Sequence, residues 1–172
     1  LARRDVLWTH AHHFAHDRAA QEFRRAVALK PDSDQGHRRL ARVYVHVGFF
    51  EEALRQAAIA LAINPSNAQA LNSRAQALLW MGRDEDALGV LLSIPGPVLP
   101  ELVEANTAFA LLRLGKREDA WLHLRRAERK YPDDPSGTLS GIEAMLLADS
   151  EPGKAQALIE KVAKRKAVNP SQ

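Results

Sequence analysis

The chain has 172 residues, 46% of them hydrophobic, a net charge of +3 and no cysteine. Disulfides, thiol catalysis and zinc–thiolate sites are therefore excluded, and no apolar run approaches the roughly 18 residues of a membrane span. The charge is unevenly spread: residues 1–50 carry nine Lys/Arg against five Asp/Glu, and the remainder fifteen against sixteen, which is too local and too weak for a nucleic-acid footprint.

Apolar spacing predicts ten helices in chain order, near 2–13, 17–29, 34–47, 51–63, 68–81, 84–93, 101–114, 117–130, 137–148 and 152–166. They fall into five pairs. The first pair carries His10, Ala19, Phe23, Ala26 and Pro31, with Phe14 where a turn glycine is expected. The second is the most regular. Leu40, Ala41, Tyr44 and Val45 make one stripe, Gly48 can stop that helix, and Glu51 and Glu52 suit the positive end of the next. Ala53, Leu54, Ala57, Ala58 and Leu61 make the second stripe, which Asn64-Pro65 closes. The third pair repeats this as Ala75, Leu78, Gly82, Ala87 and Leu91, then breaks at Ile94-Pro95-Gly96-Pro97. The fourth has Ala108, Leu111, Gly115, Ala120, Leu124, Ala127 and Pro132. The fifth is looser, with Ile142, Met145, Ser150, Ala155, Ile159 and Val162.

The pairs are in phase. Ala19, Ala53, Ala87, Ala120 and Ala155 recur at intervals of 34, 34, 33 and 35 residues. Gly48, Gly82 and Gly115 each precede one of these alanines by five residues, and Pro31, Pro65 and Pro132 follow one by twelve. A period in the thirties indicates stacked supersecondary units rather than one mixed core.

These residues resemble the tetratricopeptide repeat, whose pattern W-x2-L-G-x2-Y…A-x3-F…P spans 34 residues. In the second unit Leu40, Ala41, Tyr44, Gly48, Ala53, Ala57, Ala60 and Pro65 fit the pattern, with His37 in place of tryptophan; in the first, Ala19, Phe23 and Pro31 do. The resemblance covers roughly residues 3–166 and implies an all-α superhelix, or solenoid, of about five antiparallel helix-turn-helix units at 1–33, 34–67, 68–100, 101–135 and 136–169. It is read as a single domain over residues 1–172.

The resemblance further implies a concave face lined by the first helix of each pair. The inward positions there are Arg38, Arg39, Arg42 and His46, then Gln69, Asn72, Ser73, Gln76, Leu79 and Trp80, then Leu102, Asn106, Phe109, Leu112 and Arg113, and finally Ser140, Gly141 and Ala144. The face grades from basic through amide-rich to apolar. Its expected partner is a protein or peptide with an acidic portion and a hydrophobic anchor. Arg38 and Arg42, one turn apart, can reach a carboxylate; Asn72, Gln76 and Asn106 can bond a peptide backbone; Trp80 and Phe109 are anchors of the hot-spot kind. Arg42 and Leu102 depart from the Lys/Asn clamp with which some relatives hold a C-terminal carboxylate. A solvated arginine face and aromatic side chains packed between units are the alternative readings of the same residues.

No catalytic motif is present: no G-x-S-x-G, no P-loop, no Gly-rich phosphate cradle. His10, His12, His13 and His16 lack the acidic residue of the H-E-x-x-H metal motif. Asp84-Glu85-Asp86 and Asp133-Asp134 read as helix starts and turns, and Lys161, Lys164, Arg165 and Lys166 as a basic helix end. A non-catalytic interaction scaffold without cofactor or metal is thus expected, with neither nucleic acid nor membrane insertion; the terminal repeats could also pair copies of the chain. A regulatory segment of a larger enzyme or envelope-assembly protein is the alternative, and an RNA-binding helical repeat a remote one. For compartment, cytoplasm is favoured over periplasm, which remains compatible with a chain that reads as part of something longer.

Overall fold

The computed structural model describes residues 16–95, 102–134 and 136–168. Among these residues there are nine helices and no strand: α1 (His16–Leu29), α2 (Asp34–His46), α3 (Phe50–Ile63), α4 (Ala68–Trp80), α5 (Asp84–Leu92), α6 (Val103–Arg113), α7 (Arg117–Lys130), α8 (Thr138–Leu147) and α9 (Pro152–Val168). The expected helix at 2–13, His10, His12 and His13, and residues 96–101 of the proline-rich break lie outside the described residues. No described helix is long and apolar enough to cross a membrane, and no described group of three or more His, Asp or Glu could hold a metal.

Each helix packs on the next, and α2, α4, α6 and α8 also contact one another in that order, so the helix pairs stack into an all-α solenoid. The alanine ladder sits at the tightest contacts. Ala53, Ala87 and Ala120 are 0% exposed, as are Ala41, Ala75 and Ala108 on the facing helices. A larger side chain there would force the pair apart. Leu40, Leu124 and Leu146 are the largest fully buried side chains. The third pair ends early, with α5 only nine residues long, yet Ile94 folds back to 7% exposure in the slot that Ala60 and Ala127 fill in neighbouring pairs.

Turn chemistry explains the regularity of units two to four. Gly48 and Gly82 adopt φ of +80° and +78°, a conformation that costs an L side chain on the order of 1 kcal/mol or more. That bend lets the Gly48 amide donate to Val45 O at 3.2 Å and the Phe49 amide to Tyr44 O at 2.9 Å, the paired bonds of a Schellman motif. The amides of Arg83 and Lys116 reach Leu78 O and Leu111 O in the same way, each at 2.9 Å. Phe49, Arg83 and Lys116 all lie four residues before a ladder alanine.

The fifth unit turns differently. Glu151, also four residues before its ladder alanine, donates to Leu147 O at 2.8 Å, four residues back instead of five, and Ser150 has no positive φ. Leu147 is therefore the counterpart of Tyr44, Leu78 and Leu111. Counting back from it, Ala144 falls where Ala41, Ala75 and Ala108 stand, and it is buried against the cluster containing Ala155. The turn is one residue shorter than in the other units.

His37, which replaces the family tryptophan, is 6% exposed. Its Nε2 bonds Pro31 O at 3.0 Å and its Nδ1 the Gln56 amide oxygen at 2.7 Å, locking α2 to α3 and to the preceding loop. Glu104 and His123, at the equivalent places in α6 and α7, pair at 2.6 Å. The slot that tryptophan fills by bulk is filled here by polar bridges.

Candidate functional site

The first helices of successive units bring their inward residues into one surface, and the units are stitched across it. Arg38 donates to Gln69 Oε1 on α4. Asn106 Nδ2 on α6 donates to Asn72 Oδ1 on α4 at 3.1 Å. At the edge, Asp34 Oδ2 accepts from Asn64 and Asn67, each at 3.0 Å, which holds its carboxyl below the usual range. Asn67 meanwhile caps α4 by accepting the Ala70 amide at 3.0 Å.

The basic end consists of three arginines on α2. Partial burial lowers the pKa of Arg38, and the neighbouring charges of Arg39 and Arg42 lower it further, while Asp34 opposes them. Arg39 stacks on the Phe23 ring, its guanidinium 5.9 Å from the centroid. Arg42 is exposed and has no hydrogen bond or ion pair among the described residues. Asp34, already engaged by two amides, is the carboxylate that offsets Arg38. His46 lies exposed one turn beyond Arg42.

In the middle of the face Gln76 is half-buried with its amide unpaired among the described residues, and Trp80 is 64% exposed at the end of α4. Phe109 is half-buried against the core, with the Arg113 guanidinium 5.5 Å from its ring centroid. Leu112 is half-buried against the same cluster.

Four of the inward assignments need correction. Leu79 is 3% exposed inside the main core, as its counterpart Val45 is buried in the second unit, and Ser73 is 4% exposed; neither has a surface to offer. Arg113 is exposed but occupied: Nε lies 3.0 Å from Asp84 Oδ2 and Nη1 donates to Leu79 O at 3.2 Å. In the fifth unit the shortened turn moves the register by one. Ala144 is buried, 3% exposed, and Met145, 44% exposed, stands at the register counted from Leu147. Arg42, Gln76, Phe109 and Met145 each lie two residues before Tyr44, Leu78, Leu111 and Leu147, and so form one row across the four helices.

No protein-family model matches the sequence, and no curated protein does. Solved structures do. PilF of Pseudomonas aeruginosa matches at 24% identity and TM-score 0.69 over 87% of this chain and 68% of that one. PilW, a type IV pilus biogenesis factor, matches at 18% identity and TM-score 0.73 over 87% and 70%. YrrB, described as a TPR protein with an unusual peptide-binding site, matches at 17% identity and TM-score 0.63 over 88% and 78%. Together with the glycine turns and the alanine ladder, buried from Ala53 to Ala155, these likenesses show that the chain has the tetratricopeptide-repeat fold.

Proposed function

We propose that the chain is a non-catalytic protein-interaction scaffold that holds a linear segment of a protein partner on its concave face. The observation that carries this reading is the arginine group Arg38, Arg39 and Arg42, short of counter-charge, on the same face as the exposed Trp80. An acidic stretch of the partner relieves the repulsion among the arginines, and an apolar residue covers the indole, which is costly to leave in water. Asn72, Gln76 and Asn106 lie between these ends with amide groups suited to a peptide backbone. YrrB, with its peptide-binding site, supports the reading by analogy of fold. By the same kind of analogy, PilW supports the alternative that the chain serves as a segment of an envelope-assembly protein.

The test is capture of partners from the native lysate with the wild-type chain and with the triple variant Arg38→Glu, Arg42→Glu, Trp80→Ala. Proteins retained by the wild type and lost by a folded variant support the groove. Identical retention by both removes it.

A further inference from the structure

We infer that the concave face reads a polyproline-II segment with one side chain every three residues: an acidic one on Arg42, a polar one on Gln76, and apolar ones on Phe109 and Met145. This inference rests on the concave face being the partner site, and it specifies the conformation and residue spacing of what binds there.

The row itself is the first argument. Arg42, Gln76, Phe109 and Met145 occupy one register on four successive inner helices, α2, α4, α6 and α8, once the shorter turn at Glu151–Leu147 is counted. Their chemistry is ordered as cation, amide, aromatic ring and thioether. Arg42 and Gln76 carry no bond among the described residues, and Met145 is 44% exposed where every neighbouring core position of α8 is buried. Met145 thus extends the apolar end of the face by one full unit.

Spacing is the second. Neighbouring packed helices stand about 8–10 Å apart. A polyproline-II segment rises about 3.1 Å per residue with three residues per turn, so it returns the same face every ~9 Å. A β-strand returns its face every ~6.6 Å and falls out of step with the helices at once. An α-helix returns one face after about 5.4 Å, and again after about 10.8 Å, below and just above that spacing. Polyproline-II thus has a three-residue repeat that falls inside the spacing of packed helices. It has no internal hydrogen bonds, so its amides and carbonyls are available to Gln76 and to the Asn72–Asn106 pair.

The third is Trp80, 64% exposed beside the row and one turn from Gln76. Flat exposed aromatic rings are what proline-rich segments pack on in other recognition grooves. Charge decides the orientation of the motif relative to the face: acid at the α2 end, where the arginines cluster, and apolar residues toward α8.

Synthetic peptides test this directly. One peptide has Glu, Gln, Leu and Leu at every third place with Pro and Ala between. A second has the two leucines moved one place nearer the Glu. Both are made in each chain direction and titrated by fluorescence anisotropy against the full chain. The in-step peptide, in one direction or the other, is expected to bind at least tenfold more tightly than its shifted partner. Met145→Lys, at an exposed site, should remove that advantage, and replacing the peptide Glu by Lys should restore binding to Arg42→Glu. Equal binding of in-step and shifted peptides, or indifference to Met145→Lys, overturns the inference. Should no peptide bind while lysate capture still depends on Arg38, Arg42 and Trp80, the spacing is wrong and the scaffold reading stands; should capture also be unaffected, both fall.

Discussion

Arg113 and Asp84 join the third and fourth units. The Arg113 Nε lies 3.0 Å from Asp84 Oδ2, and its Nη1 donates to the Leu79 carbonyl at 3.2 Å. One side chain from α6 thereby meets a backbone carbonyl at the negative end of α4 and an acid at the start of α5. The Asp84 side chain is only 13% exposed, and its other oxygen, Oδ1, is buried with no partner in the structure. Loss of the arginine leaves a carboxylate poorly solvated. Arg113→Met should lower unfolding stability by about 1–3 kcal/mol in urea titrations, although the residue lies on an exposed face. A change within ~0.5 kcal/mol would show that water replaces the guanidinium without loss.

Leu79 and Trp80 are adjacent in sequence and opposite in role. Leu79 is 3% exposed and Trp80 64%. Leu79→Ala should cost about 2–5 kcal/mol. Trp80→Ala should change stability by no more than ~0.5 kcal/mol while weakening capture of the partner. Thermal melts of both variants, compared with their binding, separate the two. A large loss of stability from Trp80→Ala would mean that the indole packs between units.

Much of this arrangement was legible from one unit. Ala41, Gly48, Ala53 and Pro65 mark a helix pair, and the recurrence of the alanines and glycine at intervals of 33–35 residues extends it along the chain. The predicted helix limits agree with the observed ones to within two residues wherever the helix is described. The site was less legible, because an inward position depends on helix rotation to within one residue. Counting the fifth unit from Ala155 and Ser150 placed Ala144 in the groove. Its turn contains no left-handed residue, so the count slips by one. The signal was nonetheless present: Ala144-x-x-Leu147 repeats Ala41-x-x-Tyr44, Ala75-x-x-Leu78 and Ala108-x-x-Leu111. The engagement of Arg113 by Asp84 depends on side-chain reach between units, which periodicity does not encode. The same holds for the polar bridge at His37.

Asp34 links stability to pH. Its pKa is held below the ordinary 3.8 chiefly by the hydrogen bonds from Asn64 and Asn67. A depressed carboxyl pKa stabilises the folded chain above the unfolded value, and that stabilisation fades as pH falls through the folded one. Asp34→Asn should therefore be less stable than wild type at neutral pH, and the gap should narrow as pH drops below about 3.8. Taking the difference between the two proteins cancels the other carboxylates. A gap that stays constant from neutrality to pH 2.5 would show that the asparagines do not favour the charged form.

The turn glycines give a paired test of register. Gly82 has φ +78°, and a Cβ there meets only the tip of Arg113, at 3.7 Å. Space is therefore not the obstacle to Gly82→Ala; backbone conformation is, and the substitution should cost about 1–2 kcal/mol. Ser150 stands at the same offset from its ladder alanine but has no positive φ, so Ser150→Gly has no strain to relieve. It should leave stability unchanged or lower it slightly through added freedom of the unfolded chain. Urea midpoints of the two variants check this. A clear gain from Ser150→Gly would mean that the fifth unit turns like the others, and would return Ala144, in place of Met145, to the concave face.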